Sequence, residues 1–217
     1  MLIDKVSFRK DCKKKLQKSA KIAKFYKDQK VRKNLKYLMK MIRPKRVLLY
    51  LPIGFEADIS TFIKEIRKKC DILVPFMEGV SFKIVKYRLP LKKNKFSIKE
   101  PANSFVKHKR IDVAIVPVLG VGRGDRRVGF GKGMYDRFFA NLDYRPIIIF
   151  VQIEKCYDKK VSTDTFDIQS DYYVTPKKIY ITRGKGYADR NFNSRSGFGY
   201  RRSSRGGNPK KIGSIQI

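Results

Sequence analysis

At 217 residues, the chain is long enough for one α/β domain with a full core plus an appendage. It carries 52 Lys and Arg against 19 Asp and Glu, a formal charge of +33, and such a field attracts polyanions: phosphates, nucleic acid, polyglutamate, anionic lipid. Over residues 1–183 the lysines are scattered across helix faces and loops, so the charge alone selects no partner.

Cys12, Cys70 and Cys156 are odd in number and form no C-x-x-C pair, which argues against a disulfide framework or a zinc site. Met1–Lys10 alternates charged and apolar residues and has no signal-peptide core. No apolar run reaches the roughly 18 residues of a membrane span. The expectation is a soluble, cytoplasmic protein without membrane contact, monomeric or weakly oligomeric.

In chain order, residues 4–42 are predicted helical, with a break near 25–29 and a stop at Pro44; Leu16, Ala20, Ala23, Val31, Leu35, Leu38 and Ile42 recur at helical spacing. Val47–Ile53 is an apolar run and a predicted buried strand. Asp58 or Ser60 caps a helix through about Cys70, striped by Ile59, Phe62, Ile63 and Ile66. Ile72–Met77 is a second strand, and Phe82–Tyr87 alternates as an antiparallel or edge strand. Residues 88–110, with Pro90 and Pro101, are a polar connection that includes His108. Ile111–Leu119 is a strongly apolar strand, followed by a Gly/Arg loop from Gly120 to Gly133, a helix over Met134–Leu142 and a strand over Pro146–Ile153. Tyr172–Val174 and Lys178–Thr182 are short closing strands.

Apolar rather than alternating strands, interleaved with helices, predict an open, mostly parallel sheet covered on both faces, a Rossmann-like three-layer α/β fold. Ligands in such folds sit at the carboxyl ends of the strands, which points to loops 52–58 and 120–135. Composition changes at Gly184. Residues 184–217 are rich in Gly, Ser, Arg and Asn, with GFGYRRSSRGG at 197–207, and are expected to be a disordered tail after a domain of residues 1–183.

The segment RRVGFGKGMYDRFF (126–139) sets Gly129, Gly131 and Gly133 among Arg127, Lys132 and Asp136, just before a helix. Backbone N–H groups flanked by Arg and Lys suit a phosphate, and an acid one turn on can hold the magnesium ion that accompanies a nucleotide. The spacing is neither G-x-x-x-x-G-K-[ST] nor G-x-G-x-x-G. A plain flexible turn from strand to helix is the alternative.

IDVAIVPVLGV followed by RRVGFGKGMYDRFF resembles the signature of the 5-formyltetrahydrofolate cyclo-ligase family, and the order of elements is similar over about residues 4–178. The resemblance implies ATP with Mg²⁺ and a folate substrate, polyglutamylated or not. It implies that Lys5, Arg9, Arg127, Gly129, Gly131, Lys132, Gly133 and Tyr135 hold ATP. Lys132 and Arg127 would stabilise the transferring phosphoryl group, and Asp136 and Asp167 would meet the metal. Leu51, Glu56 and Met134 would meet the folate. Asp171 matches the second member of a late acidic pair.

Two departures stand out. Met134 replaces a family Tyr, and Phe166 occupies a position that is often His or Asn. The implied reaction needs no protein nucleophile: the formyl oxygen is phosphorylated, N10 attacks, and phosphate leaves to give 5,10-methenyltetrahydrofolate. Two other readings remain open: an RNA-binding protein that uses the Arg/Gly tail, and another phosphate-ligand enzyme on the same fold.

Overall fold

The computed structural model describes residues 2–93, 99–101, 110–182 and 214–215. Asp4 starts the first helix, its carboxylate accepting from the amides of Val6 and Ser7 at 2.8 and 3.0 Å. Helix α1 spans Lys5–Lys21 and α2 spans Lys24–Ile42. The break therefore falls at residues 22–23, earlier than the expected 25–29. Ala23 takes a left-handed φ of 49°, and the Lys27 ammonium donates to the Ser19 carbonyl at 3.0 Å. A lysine that satisfies the last turn of α1 ends the helix without any Gly or Pro to mark it.

Strands β1 (Arg46–Leu48), β2 (Asp71–Glu78) and β3 (Ser81–Lys86) follow, with α3 (Ser60–Ile66) between β1 and β2. Strand β1 is shorter than the expected Val47–Ile53. Leu49 still donates to the Leu73 carbonyl at 2.8 Å, but Tyr50 then leaves the sheet and its hydroxyl donates to the Ala57 carbonyl at 2.8 Å, closing loop 52–58. The connection over 88–110 contains a small antiparallel pair, β4 (Lys92–Lys93) and β5 (Lys99–Glu100). Strand β6 (Val113–Pro117) leads into a hairpin of β7 (Gly120–Val121) and β8 (Arg127–Val128), then α4 (Met134–Ala140) and β9 (Ile147–Val151). Strands β10 (Tyr172–Val174), β11 (Ile179–Ile181) and β12 (Ser214–Ile215) complete the main sheet.

The sheet order is β12-β11-β10-β9-β6-β1-β2-β3. From β10 to β2 the pairs are parallel; β3 and the β11–β12 side are antiparallel. Alternate strand residues point to opposite faces, as period two requires. Val47, Ile72, Val113, Ile115 and Ile149 pack with Phe8, Leu35, Leu38, Phe62 and Ile63 of α1, α2 and α3. Leu48, Leu73, Ala114, Val116, Ile148 and Phe150 pack on the other face with Met134, Phe138 and Phe139 of α4. Helices thus cover both faces, as the apolar strands required.

One expectation is overturned. Cys12 on α1 and Cys156, after β9, form a disulfide across 144 residues, with Cα atoms 5.8 Å apart. The fold brings them together, and no local spacing rule sees such a pair. Cys70 remains free. The expected disorder over 184–217 lies outside the described residues, apart from β12 against β11, and so does His108. Among the described residues no helix is long and apolar enough to cross a membrane.

Candidate functional site

The loops flagged at the strand ends meet around one cavity of about 340 Å³. Tyr50, Leu51, Ile53 and Glu56 come from the segment after β1; Pro75 and Met77 from β2; Phe82 from β3; Pro117 from the end of β6; and Arg127, Phe130, Lys132, Gly133, Met134 and Tyr135 from the hairpin and α4. Lys99 and Glu100 of β5 complete the wall. A largely apolar cavity with a few convergent charges suits a small organic ligand.

Arg127 is the most constrained cation of this wall, 7% exposed. Its Nε donates to the Pro117 carbonyl at 3.2 Å, its guanidinium lies 4.8 Å from the Tyr135 ring centre, and Nη1 is 3.6 Å from Asp136 Oδ2. Gly129 leaves room for this side chain: a Cβ there would lie 2.3 Å from Arg127 Nη1. Gly131 has φ of 98°, a left-handed conformation that lets the loop double back towards α4. Arg9 of α1 reaches across and donates from Nε to the Gly129 carbonyl at 3.1 Å, so α1 braces the glycine loop.

Lys5 takes a different position. Its ammonium lies 2.5 Å from both Asp164 and Asp167, and these hydrogen bonds outweigh the lowering effect of burial to raise its pKa. The Asp167 carboxylate also accepts the Asp164 amide at 2.7 Å. Asp136 accepts the amide of Ile168 at 3.2 Å, so its carboxylate and Asp167 share one neighbourhood. Asp171 stands apart: it pairs with Arg145 and accepts the Ile148 amide, both at 2.8 Å, which ties β10 to β9. Among the described residues no three His, Cys, Asp or Glu side chains converge as a metal cluster.

Glu56 is the perturbed acid of the cavity. Desolvation pushes its carboxyl up to about 7, although the Ile53 amide, donating at 3.1 Å, and the Arg127 charge both favour ionisation. Burial likewise raises the hydroxyls of Tyr50 and Tyr135 above the ordinary phenol range. The structure thus brings Leu51, Glu56, Arg127, Lys132, Gly133, Met134 and Tyr135 to one cavity, while Gly129 and Asp136 lie against Arg127, and Arg9 lies against Gly129 and Gly131. Lys5 and Asp167 form their own ion pair alongside. Sequence reasoning missed Tyr50, Phe82, Phe130 and Glu100. Tyr50 and Phe82 read as ordinary strand residues, and Glu100 lay in a polar connection without periodicity.

Residues 3–176 match the model of the 5-formyltetrahydrofolate cyclo-ligase family. The chain is 24% identical over 177 residues to the 5-formyltetrahydrofolate cyclo-ligase of Mycoplasma genitalium, covering 80% of this chain and 98% of that one. It is 26% identical over 144 residues to the enzyme of the same name from Escherichia coli K12, covering 62% and 79%. The NMR structure of Aquifex aeolicus 5,10-methenyltetrahydrofolate synthetase superposes with a TM-score of 0.69 at 28% identity, over 84% of this chain and 95% of that one. The match spans α1 through β10, the elements that build the cavity, and the chain belongs to the 5-formyltetrahydrofolate cyclo-ligase family, a family of ligases.

Proposed function

We propose that the protein is a cytoplasmic enzyme that uses ATP to convert 5-formyltetrahydrofolate into 5,10-methenyltetrahydrofolate, releasing ADP and phosphate. One observation carries this reading. The same cavity is lined by Glu56, an acid suited to ring N–H donors, and by Arg127 and Lys132 of the glycine loop, cations suited to phosphate.

The chain's own groups are suited to positioning and charge stabilisation rather than to covalent catalysis. Arg127, fixed by Pro117, Asp136 and Tyr135, holds its guanidinium in place before any ligand arrives. Together with Lys132 and the loop amides it would stabilise charge developing on the transferred phosphoryl group. Arg9 would keep the loop closed on the nucleotide. Glu56 would accept from a ring N–H of the folate, while Leu51 and Met134 supply apolar contact; a thioether packs well on a ring. The substrate's own N10 is the nucleophile, so no Ser/His/Asp or Cys/His set is needed.

Magnesium is commonly bound by one or two carboxylates plus substrate phosphates, and Asp136 fits that use. It lies behind the glycine loop, with one oxygen on the Ile168 amide and the other only loosely paired at 3.6 Å. Asp167 is the second candidate, although Lys5 holds its carboxylate here. A bound Mg²⁺ would neutralise phosphate charge. Purified protein mixed with 5-formyltetrahydrofolate, ATP and Mg²⁺ should develop the near-ultraviolet absorbance of the methenyl product; no product at any protein concentration would overturn the reading.

A further inference from the structure

Glu100 is a buried acid in the cavity wall that the family signature did not single out. It sits on β5, which docks against β2, and is 7% exposed. Its Oε1 accepts the Met77 amide at 3.0 Å. Among the described residues no cation forms a salt bridge with it, and no second hydrogen bond reaches its carboxylate. Its other oxygen, Oε2, is not among the buried side-chain atoms that lack a partner, so in the cavity wall beside Met77 and Phe82 it is left accessible to a ligand N–H.

The charges of the cavity are divided by element. Arg127 and Lys132 come from the hairpin and glycine loop, whereas the acids come from loop 52–58 and from β5. A triphosphate is attracted to the first group and repelled by Glu100 and by ionised Glu56. What suits two acids is a neutral ring with N–H donors on more than one edge. A reduced pterin is such a ring. Its 2-amino group and N3–H lie side by side, a match for a carboxylate, and N8–H projects from another edge.

Resting on the folate reading above, we infer that Glu100 is a second acidic reader of the pterin, accepting from a ring N–H edge that Glu56 does not take, and that it sets specificity for the 2-amino-4-oxo ring. The two acids divide the ring donors between them. Met77, whose amide aims Glu100, is a positioning residue for that contact.

The test compares wild type with Glu100→Gln by calorimetric titration with 5-formyltetrahydrofolate and with a 2-desamino analogue. Glutamine keeps a carbonyl for the Met77 amide and removes only the charge. The expected result is at least a ~10-fold weaker Kd for 5-formyltetrahydrofolate, from loss of a charge-assisted bond, with an ATP KM within about twofold of wild type and a smaller loss on the desamino analogue. Unchanged folate affinity in Glu100→Gln, or an equal loss for ATP, overturns the inference while leaving the ligase reading intact. If Glu100→Gln does not fold, wild type alone decides: equal affinity for the parent and the desamino compound overturns it. A wild type that binds no 5-formyltetrahydrofolate overturns it together with the function on which it rests.

Discussion

Glu56 carries a prediction with a definite sign. Its carboxyl titrates near 7 in the folded chain, against an ordinary value of about 4.5. Between those values the folded state holds a proton that the unfolded chain has released, so stability falls as pH rises from about 4.5 to 7, and the penalty is complete above 7. Glu56→Gln should therefore be more stable than wild type at about pH 8, by on the order of 1 kcal/mol once partial exposure is allowed for, and unchanged below about pH 4.5. Denaturant melts at the two pH values check this. Folate affinity should move the other way. It should strengthen as pH rises through 7, because the ring donors want the carboxylate, and Glu56→Gln should flatten that profile. Asp136→Asn should lower kcat by on the order of 10²-fold, with steady-state rates at saturating Mg²⁺ as the measurement. Gly129→Ala should act through Arg127: a methyl 2.3 Å from Nη1 must displace a guanidinium held on three sides, and a loss of the same order is expected. The placement of Arg127 in the cavity wall, with Asp136 beside it, was legible because charges set among glycines before a helix stand out in the sequence. Glu100 was not legible, because a buried acid and a surface acid look alike in a polar stretch.

At the scale of elements, strongly apolar strands were readable and their ends were not. Strand β6 lies within Ile111–Leu119 and β9 within Pro146–Ile153, since runs of five and four consecutive buried residues demand a covered parallel sheet. The end of β1 depended on the Tyr50 hydroxyl turning to Ala57, and the α1–α2 break on Lys27 reaching Ser19; both are contacts across a turn that composition does not announce. Helix α1 is held just before its start and at its middle. Ile3 pairs with the 160–162 segment, and Cys12 is bonded to Cys156. Between these anchors lie Lys5 and Arg9, and Phe8 packs so closely that a Cβ on Gly120 would lie 2.5 Å from its ring. Reduction of the disulfide should therefore destabilise the whole fold and loosen α1 from the glycine loop. The chain-entropy model for a loop of this length gives up to about 5 kcal/mol. Cys12→Ser and wild type in excess dithiothreitol should shift the urea midpoint down together; a shift seen only with the mutant would trace to packing at Cys12 rather than to the bond.

Across the whole molecule, the charge and the tail are predicted to be separable from the catalyst. Residues 184–217 carry eight Lys and Arg against Asp189 alone, interleaved with Tyr187, Phe192, Phe198 and Tyr200. The family match ends at residue 176, before this stretch begins. The one described contact between the two regions is β12, two residues added to the edge strand β11. An edge pair of that length contributes little to a sheet whose parallel core runs from β10 to β2. A chain ending at Arg183 should then keep its fold and its ligase activity, with a melting temperature within a few degrees of the full chain. The full chain should also bind single-stranded RNA weakly, by base stacking and phosphate pairing, with an affinity that falls steeply as salt rises. Filter binding of both chains to a mixed-sequence RNA at low and near-physiological salt distinguishes the sources of that affinity. Binding lost with residues 184–217 assigns it to the tail. Equal binding assigns it to the basic body, whose lysines on α1 and α2 would then be the surface to mutate. A truncated chain without ligase activity would mean that β12 closes the sheet more firmly than two residues suggest, and that the domain extends past Arg183.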